Sequence, residues 1–153
     1  ADMLRLSKKM LYAIEAVLDI AYNAGSEPVQ SRDISMRQNI PKRYLEQALQ
    51  LLVREKLLIG VRGPRGGYRL ARERRRISVG EIVRIVRKME GSDALSNNQT
   101  DSDLGYKVVR PLWKKLHGEV LKQLDDVSID DLCLLANQAG IESKGGPKLN
   151  YSI

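Results

Sequence analysis

The 153-residue sequence has no phenylalanine, one tryptophan, one cysteine and one histidine. Each scarcity removes a class of function. A single cysteine, Cys133, allows no intramolecular disulfide, so a reducing, cytoplasmic setting is expected. It also leaves no paired-cysteine spacing for a metal. Within DLCLLA, Cys133 reads as a small buried hydrophobe rather than a reactive thiol. No apolar run approaches the roughly 18 residues of a membrane span, and no signal-peptide pattern opens the chain. Met3 reads as the natural start, with Ala1 and Asp2 ahead of it. His117 has its nearest acid in sequence at Glu119, two positions on, where a helix turns it away. P-loop and nucleophile-elbow patterns are missing. The expectation is a protein without catalytic residues, metal or cofactor.

Positive charge is abundant and unevenly placed. Residues 1–91 hold 19 Lys and Arg against 10 Asp and Glu, whereas residues 92–153 hold 7 against 9. Such asymmetry points to a polyanion-binding module joined to a part with another task. The charge peaks in RGPRGGYRLARERRR, residues 62–76, where seven of fifteen residues are arginine. Like charges at that density repel unless something anionic meets them.

Periodicity predicts a mainly α chain with a small β-hairpin. Ser7 should cap a first helix with Met10, Ile14, Val17, Leu18 and Ala21 on its apolar face. Gly25 and Pro28 follow it. Ser31 should cap a second, short helix ending about Gln38, and Pro41 suits the first position of a third. That third helix turns Tyr44, Leu45, Ala48, Leu49 and Leu52 inward and Lys42, Arg43, Glu46, Gln47 and Gln50 outward. LLIGVR and YRLA, around GPRGG, form a hairpin. A helix-turn-helix followed by a hairpin is a winged helix. Ser78 and Glu81 form a capping-box pattern for a fourth helix to about Met89. Beyond it, Leu104, Val108, Leu112, Leu116, Val120 and Leu124 keep a four-residue stripe that Pro111 either opens or kinks. Ser128 and Asp131 open a last helix to about Ala139. The expected division is a DNA-binding domain over 3–90, a loop over 91–104, further helices with a separate task over 105–140, and a flexible tail over 141–153.

An outward face carrying Arg, Glu and Gln suits a DNA major groove. Gln47 can pair with adenine, Arg43 with guanine or phosphate, and Glu46 can accept from cytosine. Ser7, Lys8, Ser31 and Lys42 stand at helix starts fit to clamp phosphate. Arg62 and Arg65, on a glycine-thin hairpin, suit a narrow minor groove, with the glycines letting backbone approach DNA. Arg72, Arg74, Arg75 and Arg76 are expected to face phosphates. The alternative of another class is RNA binding, but sequence-specific RNA modules present stacking aromatics. Here Tyr12, Tyr44 and Tyr68 hold positions that look structural, and the one tryptophan is outside the basic half.

MLRLSKKMLYAIEAVLDIA, IPKRYLEQALQLLVREKLL, VRGPRGGYRLA and ISVGEIVRIV together resemble the Rrf2 family of bacterial winged-helix transcription regulators over about residues 3–90. The resemblance implies a homodimer on double-stranded, dyad-symmetric DNA, paired through the long helix after the wing domain. It assigns Arg43, Glu46 and Gln47 to the major groove and Arg62 to the minor groove. Many members hold an iron–sulfur cluster through three cysteines in the loop before the long helix, and SDALSNNQTDSD contains none. The remaining likeness, from VVRPLWKKLHGEVLKQLDDVSIDDL to LNYSI, is to the cysteine-metabolism repressors of the family. By that resemblance Tyr151 and Ile153 are expected to dock in O-acetylserine sulfhydrylase, which would act as corepressor. Carboxylate-terminated tails are captured in this way elsewhere. The alternative for these residues is an exposed tail that folds back onto its own dimer. A thiol- or stress-responsive regulator of the same family stands as the alternative.

Overall fold

The computed structural model describes residues 6–90 and 102–145. Ser7 starts α1 (Lys8–Tyr22) as expected, its hydroxyl accepting the Met10 N–H at 3.2 Å. The buried face is rotated from the expected one. Ala13, Ala16, Val17 and Ile20 are fully enclosed, whereas Ile14 and Leu18 are half-buried. Alanines let neighbouring helices approach closely, and α1 is contacted from several sides at once. The helix stops at Tyr22, ahead of Gly25, where Asn23 returns both its backbone N–H and its side-chain amide to the Asp19 carbonyl.

Asp19 is the one buried charge among the described residues, and no local pattern announces it. It accepts Arg37 Nε (3.0 Å) and Nη2 (2.8 Å) and Gln38 Nε2 (2.7 Å). This network ties α1 to the end of α2 (Ser31–Gln38). Paired so fully, the charge fixes geometry rather than costing stability.

Two helix starts differ by one residue from expectation. Gln30, not Ser31, caps α2, because the Gln30 carbonyl accepts the Asp33 and Ile34 N–H groups, leaving Ser31 inside the first turn. Pro41 likewise precedes α3 (Lys42–Arg54), its carbonyl taking the Leu45 N–H. Asn39, in the left-handed region at φ 54°, makes the turn between the two helices. Leu45, Ala48, Leu49 and Leu52 face the core while Lys42, Arg43, Glu46, Gln47 and Gln50 face out.

Strands β1 (Leu58–Val61) and β2 (Gly67–Leu70) pair antiparallel with Leu58 opposite Leu70 and Val61 opposite Gly67. Val29 adds a one-residue bridge to Tyr68 on the far side of β2. A Cβ on Gly67 would lie 2.7 Å from the Val29 carbonyl carbon, so this glycine admits protein backbone, not DNA as expected. Gly63, at φ 109° with open space around it, is a glycine of the hairpin loop free toward solvent.

A single 3-10 turn, Arg74–Arg76, leads to α4 (Val79–Met89). Ser78 caps it through the Glu81 N–H, but the reciprocal half of the expected capping box is replaced. The Glu81 carboxylate instead accepts Arg72 Nη2 at 2.5 Å. A π-helical stretch, Gly105–Val109, runs straight into α5 (Arg110–Asp125). The Arg110 N–H reaches back five residues to the Gly105 carbonyl. This widened turn lies just where a proline at 111 would crowd the preceding backbone, and Pro111 stands in the first turn of α5, the opening position of its two expected roles. α6 (Ile129–Gln138) opens with a complete capping box between Ser128 and Asp131. It buries Ile129 and Cys133 in the same core as α1. After α6 the chain is held to the end of α1. Tyr22 Oη donates to the Ile141 carbonyl, Ser143 Oγ to the Tyr22 carbonyl at 2.6 Å, and the Lys144 N–H to Asn23 Oδ1 at 2.8 Å.

Candidate nucleic-acid interface

The starts of α2 and α3 face the hairpin across an open groove of about 840 Å³, lined by Gln30, Ser31, Arg32, Lys42, Arg62 and Tyr68 among others. Three residues expected to meet nucleic acid, Ser31, Lys42 and Arg62, are thereby brought together beside the hairpin. Arg32 joins them and was missed. Its signal lay in its place beside Ser31, on a helix start that faces the wing only once the chain has folded.

The cations of the basic half fall into two groups. Arg37, Arg72, Arg74, Arg75 and Arg84 pair with Asp19, Glu81, Asp130, Glu73 and Asp125 at 2.5–2.8 Å. Three of the four arginines expected to face phosphates, Arg72, Arg74 and Arg75, are thus met by carboxylates of this chain. The C-terminal acids Asp125 and Asp130 offset two of the N-terminal cations, Arg84 and Arg74. The Arg75–Glu73 contact holds the Glu73 carboxyl below its usual range and raises Arg75. Against this group stand Lys42, Arg43 and Arg62, exposed and with no carboxylate within 4.0 Å among the described residues. Arg65, 88% exposed at the hairpin tip, has only a 3.6 Å approach to Glu27. Arg69 is occupied by the Ser26 carbonyl at 2.8 Å.

Uncompensated cations on a groove wall set a positive potential there, whereas paired ones contribute little beyond a Debye length.

Arg43, Glu46 and Gln47 share the exposed face of α3 as expected. Gln47 also borders a small hollow with Lys9, Tyr44, Val86 and Met89, which sets the first turn of α1 and the last of α4 against the middle of α3. Ser7 is placed differently from expectation. Its hydroxyl donates to both Glu90 carboxylate oxygens (3.2 and 3.3 Å), so an acid of this chain already stands where a phosphate was foreseen. Lys8 is exposed on the first turn of α1. Tyr151 and Ile153 lie outside the described residues.

The outer side of α5 is apolar and open. Leu104, Val108 and Leu112 are 73%, 58% and 54% exposed, and Leu116 and Val120 continue the row, while Leu121 alone of this helix is buried. No helix among the described residues is long and apolar enough to cross a membrane.

The Rrf2 family profile, described as an iron-dependent transcriptional regulator, matches residues 6–134. The HTH-type transcriptional regulator IscR of Vibrio cholerae is 35% identical over 133 residues, covering 86% of this chain and 76% of the relative. Among solved structures, T. potens IscR superposes with a TM-score of 0.71 at 34% identity, covering 89% of this chain and 90% of that one. CymR, the global cysteine regulator of B. subtilis, superposes with a TM-score of 0.68 at 27% identity, covering 86% and 98%. The donor set here does not fit an iron centre held by several cysteines. The sequence has one cysteine, enclosed on α6 at 3% exposure, with burial pushing its thiol above the ordinary range. Among the described residues no three His, Cys, Asp or Glu side chains gather where they could hold a metal.

Proposed function

Because the chain belongs to the Rrf2 family of winged-helix, DNA-binding transcription regulators, we propose that it acts as a repressor, binding a dyad-symmetric operator as a homodimer. The observation that carries this reading is the groove between α3 and the wing, with Arg32, Lys42 and Arg62 on its walls and, among the described residues, no acid set against Lys42 or Arg62. In it α3 enters the major groove, with Arg43, Glu46 and Gln47 toward the base edges. Arg62 and Arg65 reach the adjacent minor groove. Ser31 and Lys42 hold the phosphates between them, and Lys8 lies toward the flanking backbone.

The exposed row Leu104, Val108, Leu112, Leu116 and Val120 supports the dimer. An apolar face of that length is unfavourable in water and is self-complementary across a two-fold axis. Two copies then present two α3 helices and two wings, and the operator mirrors them as half-sites about one helical turn apart. Selection of sites from random duplexes tests the reading directly. Enrichment of a dyad is the expected result. Enrichment of single half-sites, or preference for single-stranded RNA, overturns it.

The finer reading, a regulator of cysteine metabolism with O-acetylserine sulfhydrylase as corepressor, has two supports. One is the likeness to CymR. The other is a donor set unsuited to a cluster of the kind many family members carry. In this reading Tyr151 and Ile153 enter the enzyme. A peptide ending NYSI then inhibits the sulfhydrylase competitively with O-acetylserine, and removing Ile153 abolishes the inhibition. Equal enzyme binding by the intact and Ile153-deleted proteins overturns it.

A further inference from the structure

Arg43 is an exposed cation of the α3 face with a defined, non-ionic support. Its guanidinium carbon lies 5.5 Å from the centroid of the Tyr44 ring. No carboxylate holds it among the described residues, in contrast with Arg37, Arg72, Arg74, Arg75 and Arg84. The Tyr44 ring is itself supported. Tyr12 of α1 stacks on it with centroids 6.0 Å apart and planes 29° apart. The hollow bordered by Lys9, Gln47, Val86 and Met89 is also bordered by Tyr44. Tyr12, Tyr44 and Arg43 therefore form one stack running from the first helix to the exposed face of the third.

An exposed arginine side chain has several rotatable bonds, and ordering it at an interface costs free energy. A ring face restricts the guanidinium without neutralising its charge. An acid would restrict it equally well but would compete with the anion it is to meet.

We propose that Tyr44, supported by Tyr12, is a positioning residue for DNA recognition. It holds the Arg43 guanidinium in a preset, fully charged pose and so raises discrimination between operator and other DNA. This rests on the assignment of the α3 face to the major groove and adds a residue that need not touch DNA. The hydroxyl of Tyr44 is dispensable in this role, because the π face does the work.

The test has a part that needs no DNA. In the free protein, the Arg43 side-chain resonances carry a ring-current shift that Tyr44→Phe retains and Tyr44→Leu removes, with Tyr12→Leu giving an intermediate loss. Thermal melts confirm that each variant is folded. In duplex binding, Tyr44→Leu lowers affinity for the selected operator by about 3- to 30-fold and leaves affinity for unrelated duplex unchanged. Tyr44→Phe restores it. In an Arg43→Ala background, Tyr44→Leu has no further effect on operator affinity. Unshifted Arg43 resonances, or a Phe variant as poor as Leu, or equal losses from Tyr44→Leu with and without Arg43, each overturn the proposal. Failure of the unaltered protein to bind any duplex would instead remove the DNA-face assignment and the proposal with it.

Discussion

Arg74 Nε donates to Asp130 Oδ1 at 2.7 Å, joining the turn after the wing to the first turn of α6 across 56 residues of sequence. The contact places a cation against an acid that also sits at a helix start, where negative charge is favoured. Both groups keep partial contact with water, so screening limits the pair to about 1 kcal/mol. Arg74→Gln and Asp130→Asn are each expected to lower stability by about that much in urea denaturation. The double variant should lose little more than either single one. A double loss equal to the sum of the single ones would show the two residues act separately.

The division between paired and uncompensated arginines has a consequence for salt dependence. Every phosphate contact contributes a slope of about −0.9 in log affinity against log salt. Arg32→Gln, Lys42→Gln and Arg62→Gln each remove one cation per protomer, two per dimer, and are each expected to flatten the slope by about two units. Arg72→Gln and Arg75→Gln should leave it nearly unchanged, since Glu81 and Glu73 already meet those cations. Affinity measured from 50 to 300 mM potassium chloride reads the difference. A uniform flattening by all five would mean the internal pairs open on DNA.

Much of this fold was legible because local chemistry and tertiary packing agree. Ser7, Ser78 and Ser128 all cap the helices that their spacing announced. The outward face of α3 was legible for the same reason: a period of 3.6 separates Leu45, Leu49 and Leu52 from Arg43, Glu46 and Gln47. What escaped depends on partners distant in sequence. Nothing near Arg74 announces Asp130, and nothing near Ser7 announces Glu90. Asp19 looks like a solvated acid until Arg37 and Gln38 are folded over it. Arg32 becomes part of a groove only when the wing closes the opposite wall. Tyr12 and Tyr44 read as packing residues, and the sequence does not reveal that Arg43 rests on the second of them.

Gly80 of α4 lies against the end of α5 at Asp125. A Cβ there would lie 2.7 Å from the Asp125 backbone nitrogen and 2.9 Å from its Cα. Alanine gains up to about 1 kcal/mol of helix propensity over glycine, but backbone atoms cannot give way as a side chain can. Overpacking at such a site costs about 1–3 kcal/mol, so the steric cost wins. Gly80→Ala is expected to destabilise the protein by about 1–2 kcal/mol and to displace the last turn of α5, weakening Arg84–Asp125 as well. A variant as stable as the parent would show that the two helices can separate freely.

His117 lies on α5 between Trp113 and Leu121, on the side turned from the exposed apolar row. Burial, and secondarily the charge of Arg87 on α4, lower its pKa below the ordinary histidine value. The unfolded chain therefore binds the proton at a higher pH than the folded one. Above about pH 6.5 both states are neutral and the full stability is present. As pH falls through that range toward the lowered folded value, the unfolded state gains protons first and stability declines. His117→Gln removes the titrating group. Its stability relative to the parent is expected to improve progressively as pH falls from about 7 to 5, with no such trend above 7. Parallel pH profiles for the two proteins would place His117 in an environment no different from water.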